Sequence, residues 1–249
     1  MAILAANWKL HKTTAEAVAW ARAVKRSPLA HRAEVIVMPG FLQIPAVAAE
    51  IAQSPISLGA QDVFWEQSGA YTGMVSAAQI TEAGCRYVLV AHSERRRYAA
   101  EDDEGAHARI RAALAHGLTP VYCVGEDMDQ RNAGGFRRAL KEQYDRGFGG
   151  LCADEARRVI VAYEPVWAIG SGQPATPEQA SEVAAAIREG VGARTGLLEG
   201  LRILYGGSVA PDNVGGYLLG GGIDGILVGT ASLDPIGFLA LLKAVVGNG

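Results

Sequence analysis

Short runs of apolar and β-branched residues alternate along the chain with longer stretches in which apolar positions recur at helical spacing. The short runs predict eight strands: Ile3 to Ala6, Val35 to Met38, Ile56 to Gly59, Tyr87 to Val90, Pro120 to Val124, Val159 to Tyr163, Ile203 to Tyr205, and Gly225 to Val228. The clearest helical patterns lie at Ala15 to Lys25, Glu104 to Ala115, Phe136 to Phe148, Pro177 to Val191 and Ile236 to Val246. In the first of these, Ala17, Trp20, Ala21 and Val24 fall on one face at spacings of three, four and seven. Thr176-Pro177-Glu178 reads as an N-cap followed by proline at the first helical position. Weaker patterns predict short helices at Ala77 to Ala83 and after Ser208.

Strands that alternate with helices pair in parallel. Eight strand–helix units in 249 residues average about 31 residues each, the allotment of a (β/α)8 barrel. No linker rich in proline or serine divides the chain, so one α/β barrel domain is expected over residues 1–249. A doubly wound sheet is the main rival. It would place a glycine-rich GxGxxG turn after the first strand, where this chain has Asn7-Trp8-Lys9.

Composition narrows the function. The chain is 49% hydrophobic and 20% charged, and 23 basic against 26 acidic residues leave a net charge of −3, which disfavours a protein held to nucleic acid by phosphate contacts. No apolar run approaches the roughly 20 residues that span a bilayer, and Met1 to Trp8 does not read as a signal peptide. A soluble cytoplasmic protein is therefore expected, with no membrane partner. Cys85, Cys123 and Cys152 form no CxxC pair, and the five histidines form no HExxH arrangement, so neither a disulfide framework nor a metal site is expected. Glycine is concentrated late: 25 of 31 lie beyond residue 116, which points to the C-terminal half for backbone-mediated ligand binding.

In a (β/α)8 barrel the chemistry sits just after the strand C-termini. The first strand closes on Asn7-Trp8-Lys9, where Lys9 is either a solvated lysine or a cation facing an anionic substrate. The fourth closes on Ala91-His92-Ser93-Glu94-Arg95-Arg96-Arg97. There Ser93 can cap a short helix, and the positive end of that helix would keep His92 neutral. The alternative is a core histidine satisfied by a carbonyl, beside arginines on a solvated face. The sixth closes on Glu164, a candidate general base whose pKa burial would raise, or a salt-bridged loop residue. Pro165 to Thr176, with Gly170 and Gly172, reads as a lid. The seventh and eighth close on Gly206-Gly207-Ser208 and Gly229-Thr230, where short helices can begin and exposed amides can hold phosphate.

Five segments together carry a resemblance: Asn7-Trp8-Lys9, His92-Ser93-Glu94-Arg95-Arg96, Cys123-Val124-Gly125-Glu126, Tyr163-Glu164-Pro165-Val166-Trp167-Ala168-Ile169-Gly170, and Tyr205-Gly206-Gly207-Ser208-Val209. In that order the chain resembles the triosephosphate isomerase family over its whole length. The resemblance implies a cofactor-free interconversion of D-glyceraldehyde 3-phosphate and dihydroxyacetone phosphate through an enediolate, in glycolysis, gluconeogenesis and linked pentose phosphate metabolism. It implies that Glu164 is the base, His92 the neutral electrophile and Lys9 the cation facing substrate beside Asn7. Glu94 and Ser93 would support them. Gly170, Ser208, Gly229 and Thr230 would bind phosphate. The family is usually a homodimer. Its interdigitating loop corresponds to Gly69-Ala70-Tyr71-Thr72-Gly73, with Gln61 upstream and Thr72 near the partner's site.

Four positions depart from the family pattern. Ala91 stands where glycine is common, Met74 where glutamate is usual, Ser171 for threonine, and Thr230 for the second glycine of a pair. The Thr230 change, beside the expected phosphate, keeps open an isomerase of a four-carbon ketose phosphate of the erythrulose phosphate type. A catalytically dead barrel kept for binding is a third reading, and the presence of Lys9, His92 and Glu164 argues against it.

Overall fold

The apolar runs become the staves of a closed barrel. The computed structural model describes residues 1–168, 174–220 and 222–247. Its strands are β1 (Ile3–Asn7), β2 (Glu34–Met38), β3 (Ser57–Ala60), β4 (Tyr87–Val90), β5 (Thr119–Val124), β6 (Ile160–Tyr163), β7 (Arg202–Tyr205) and β8 (Gly225–Val228). They pair in parallel in chain order, and β1 closes on β8 with Ile3 opposite Gly225. Two strands end where expected, and the others differ by one residue at one or both ends. The architecture is the (β/α)8 barrel, not the doubly wound rival.

Side chains alternate across each strand, so each stave feeds two apolar layers. Inward positions such as Ile3, Ala5, Ile36, Leu89, Val121 and Ile160 fill the barrel. Outward positions such as Leu4, Ala6, Val35, Val88, Tyr122 and Val161 join the larger core beneath the helices. A barrel packed through its middle leaves only its rim for chemistry, which is why strand ends matter here.

The helix Thr14–Lys25 starts at Thr13, whose hydroxyl accepts from the Glu16 amide while the Glu16 carboxylate accepts from the Thr13 amide. Its expected face of Ala17, Trp20, Ala21 and Val24 is buried. The Trp20 ring lies 4.9 Å from Trp8 and 4.9 Å from Phe238, and its indole N–H donates to the Ser232 carbonyl at 2.8 Å. One side chain thus ties the segments after β1 and β8 to the first and last helices.

Helix Pro177–Thr195 begins at Thr176 as expected but runs one turn beyond Val191. Its glycines at 190 and 192 do not break it; Gly196, at φ 77°, ends it. Gly190 is instead a contact point, because a Cβ there would fall 2.1 Å from the Tyr144 ring. The short helix Ala77–Glu82 forms behind a Ser76–Gln79 capping box. The helix expected directly after Ser208 does not form there. The Asn213 side chain accepts from the Ala210 amide at 2.8 Å and holds a turn, and the helix runs from Val214 to Leu219. Replacing Trp20 by alanine should cost about 3–5 kcal/mol, measurable as a lower chemical denaturation midpoint.

Candidate active site

β1 delivers the ammonium. Beyond Asn7 the chain turns through Lys9 at φ 51°, a left-handed conformation that a lysine adopts only where its surroundings hold it. The Asn7 side-chain oxygen accepts from the Lys9 amide at 2.9 Å, and the Gln61 amide donates to the Lys9 and Met38 carbonyls at 3.0 and 2.9 Å. Lys9 Nζ pairs with Glu94 at 2.8 Å. Gly229 lies against it: a Cβ there would stand 2.8 Å from Lys9 Cε and push the end of the lysine side chain aside.

β4 delivers the imidazole. Ala91 follows the strand at φ 58°, and His92 then caps the helix Ser93–Tyr98 with its own ring: Nδ1 accepts from the Glu94 amide at 3.2 Å. This corrects the expectation that Ser93 is the cap. The Ser93 amide instead donates to Glu164 Oε2 at 2.9 Å. Because Nδ1 accepts, the ring proton sits on Nε2, which lies 2.9 Å from Glu164 Oε1.

β6 delivers the carboxylate. Glu164 is 3% exposed, and its amide donates to the Val124 carbonyl. Two glycines make room for it. A Cβ on Gly125 would lie 1.8 Å from the Glu164 carbonyl oxygen, and one on Gly206 would lie 3.0 Å from Glu164 Cγ. Burial alone would raise this carboxyl's pKa, as the sequence reading expected. The His92 ring, the Ser93 amide and Lys9 outweigh burial and hold it below the usual carboxylate range. The His92 ring is also pulled opposite to expectation. Burial lowers its pKa, but Glu164 and Glu94 overcome that and draw it upward. The helix end therefore acts through the fixed Nδ1 hydrogen bond rather than through a depressed pKa. Cys123, packed nearby and fully enclosed, is pushed well above the ordinary thiol range, in keeping with a packing role.

These groups open on one cavity of about 300 Å³ between β1, β4, β6, β7 and β8. Its lining also contains Ser208, Val209, Gly229 and Thr230. Thr230 begins a single 3-10 turn, Thr230–Ser232, and does not take a positive φ. Gly170 and the centre of the expected lid lie outside the described residues. Thr72 is exposed in its loop and does not line this cavity, whereas Gln61 stands in the wall of the site in its own chain. Sequence reasoning assigned no role to Gly125 or Glu126 and read Gly206 only as part of a turn that can hold phosphate. Glu126 is fully buried and accepts from the Tyr163 hydroxyl at 3.0 Å and the Trp167 indole at 2.9 Å, anchoring the segment after Glu164. The five quoted segments contain all three, but their roles depend on contacts between strands.

A parallel barrel that brings a buried carboxylate, an imidazole and an ammonium to one mouth, beside glycine-rich turns, defines a (β/α)8 enzyme for proton transfer on a small anionic substrate. The family model described as Triosephosphate isomerase matches residues 2–245. The chain is 44% identical to the triosephosphate isomerase of Pelobacter propionicus over 97% of both chains, and 45% identical to that of Moorella thermoacetica over 97% of both. It is 44% identical to that of Caldanaerobacter subterraneus, over 97% of this chain and 98% of that one. The chain belongs to the triosephosphate isomerase family.

The lowered Glu164 pKa has a sign that can be tested. A depressed carboxyl stays ionised until the pH falls through its lowered value, so the base form persists below the ordinary carboxylate range. The acid limb of kcat/KM should carry the second ionisation of the substrate phosphate, near about pH 6, together with protonation of the His92 ring, and no contribution from Glu164. Profiles of kcat/KM against pH for the phosphate ester and an uncharged truncated substrate separate the two ionisations.

Proposed function

We propose that this chain interconverts D-glyceraldehyde 3-phosphate and dihydroxyacetone phosphate through an enediolate, with Glu164, His92 and Lys9 as its catalytic residues and no cofactor. The observation that carries the assignment of roles is the 2.9 Å contact between Glu164 Oε1 and His92 Nε2 at the edge of the cavity. A carboxylate and an N–H donor at this separation can address neighbouring atoms of one small molecule. Glu164 takes the proton from the carbon next to the carbonyl. His92 Nε2–H, released from Glu164, donates to the oxygen that gains charge. Lys9 supplies fixed positive charge beside both. His92 gives a proton to that oxygen and takes one from the neighbouring hydroxyl, and return of the carbon proton from Glu164 to the adjacent carbon completes the isomerisation, so atoms and electrons balance without an outside oxidant.

The resting geometry shows what substrate must displace. Glu164 holds the Ser93 amide, the Ser93 hydroxyl at 3.4 Å and the imidazole. A C–H bond offers no comparable hydrogen bond, so the carboxylate becomes more basic as it leaves these donors. Ser208, Gly229 and Thr230, with Gly170, are the proposed phosphate grip, and Asn7 flanks Lys9. Gripping the unreactive phosphate supplies binding energy for placing the reacting carbons. The four-carbon reading rested on the Thr230 change beside the expected phosphate. Thr230 takes no positive φ, and the relatives named above are triosephosphate isomerases.

We further propose a homodimer, acting in the cytoplasm in glycolysis and gluconeogenesis. The loop carrying Thr72 exposes Tyr71 and Met74, and Trp65 lies beside it, with 43%, 51% and 39% of their surfaces in water. Such a patch is better covered than solvated. Among the described residues, no helix is long and apolar enough to cross a membrane.

In a coupled assay with glyceraldehyde 3-phosphate, Glu164→Asp and His92→Gln should each lower kcat by about 100-fold or more. Near-normal rates in both would sink the role assignments, and no turnover by the unaltered chain would sink the activity. Sedimentation at micromolar concentration should give twice the chain mass of 26.1 kDa. A monomer there would contradict the dimer.

A further inference from the structure

We propose that Glu101 is a positioning residue for His92, acting through the peptide N–H of Ala91, and that the alanine at position 91 makes this chain dependent on it. The inference rests on the catalytic role of His92 given above. Ala91 is fully buried and left-handed at φ 58°, and it immediately precedes His92. For a residue with a Cβ this conformation is uphill and relaxes unless it is held. Two side chains hold it. Glu101 Oε1 accepts from the Ala91 amide at 3.1 Å, and Arg96 Nε donates to the Ala91 carbonyl at 3.0 Å. The peptides on either side of the strained Cα are thus each clamped by a charged group.

Glu101 is itself built in. Its side chain is 1% exposed. Oε2 accepts from Arg95 Nε at 2.7 Å, and Oε1 lies 3.3 Å from Arg109 Nε. Asp62 completes the cluster, 2.8 Å from Arg95 and 3.2 Å from Arg109. The chain reaches this position by turning through a second left-handed alanine, Ala100 at φ 51°. Buried ion networks of this kind seldom add stability over an apolar packing of the same volume, so their presence asks for another reason. Here it is an acceptor oxygen fixed beneath the residue that aims the imidazole. If that acceptor is lost, Ala91 can relax and His92 rotates away from the Glu94 amide and from Glu164. A glycine at 91 has no Cβ to drive the relaxation, so it should remove the dependence.

The test is a double-mutant cycle between positions 91 and 101. Glu101→Ala in the otherwise unchanged chain should lower kcat about tenfold or more, as a small misplacement of a catalytic group does. KM should stay within about twofold, because the proposed phosphate grip lies on other strands. In an Ala91→Gly background the same substitution should cost less than about threefold. The ¹⁵N shifts of the His92 ring give a readout besides activity. The split between an accepting Nδ1 and a protonated Nε2 should narrow in Glu101→Ala and persist in the double variant. Equal losses in both backgrounds, a loss carried by KM, or an unchanged ring signal would overturn the proposal. Glu101→Gln serves where the alanine variant does not fold. It keeps a carbonyl oxygen for the Ala91 amide, so it should retain most of kcat despite a lower Tm, and a tenfold loss, on the order of the alanine effect, would also overturn the proposal. Failure of the unaltered chain to turn over substrate would instead remove the functional reading, leaving the ring signal to decide the positioning.

Discussion

A carboxylate kept ionised with only 3% of its residue surface in water is the constraint around which the site is arranged. Removing such a charge from water costs on the order of several kcal/mol unless local donors replace the water. Glu164 receives the Ser93 amide, the His92 ring and the nearby charge of Lys9. Each donor comes from a different strand end from Glu164, so the buried carboxylate stays ionised only while the closed barrel holds these groups in register. The Glu164 backbone also requires Gly125, where a Cβ would overlap its carbonyl, and Gly206 leaves its side chain tight but unstrained room. Fold and chemistry meet at this residue.

The same economy explains the strained backbone. Lys9 and Ala91 are both left-handed, and they lie directly after the strands that carry the ammonium and the imidazole. Each such conformation costs about 1–3 kcal/mol and persists only where neighbours over-determine it. Asn7 and Gln61 do so for Lys9, and Glu101 and Arg96 do so for Ala91. A strand end continued in ordinary extended conformation would carry the chain on along the stave direction. The left-handed step bends the chain across the barrel mouth, where the groups can converge.

Strand positions were legible because β-branched runs and their spacing are local properties. The first helix was legible to its buried face for the same reason. Reading Ser93 as the cap failed because a histidine ring took the role usually given to a hydroxyl, a choice fixed by Glu164 lying across the barrel. The direction of the Glu164 pKa failed likewise. Burial can be guessed from an apolar neighbourhood, but the three groups that reverse its effect lie 71 or more positions away in the chain, at Lys9, His92 and Ser93. The helix expected after Ser208 was displaced by the Asn213 turn, a side-chain competition that composition does not reveal. The residues that meet at the cavity could be picked from the motifs. Their protonation and mutual support could not, because these depend on distances across the barrel.

Charge in the cavity explains why the proposed phosphate grip falls to glycine-rich turns. Among the described residues lining it, Lys9 is the only side chain with a full positive charge, and it is already paired with Glu94 while Glu164 is negative. A phosphate dianion placed near the reacting carbons would face the base's own charge. A second lysine or arginine at the mouth would ease that repulsion, but it would also stabilise ionised Glu164 further and make it a weaker base. Main-chain amides avoid the conflict. They are fixed dipoles whose field falls off faster with distance than that of a cation, so they can hold an anion at β7 and β8 while perturbing the carboxylate at β6 much less. The late concentration of glycine therefore belongs to the same physical problem as the base: binding a dianion in a site whose working group is itself an anion.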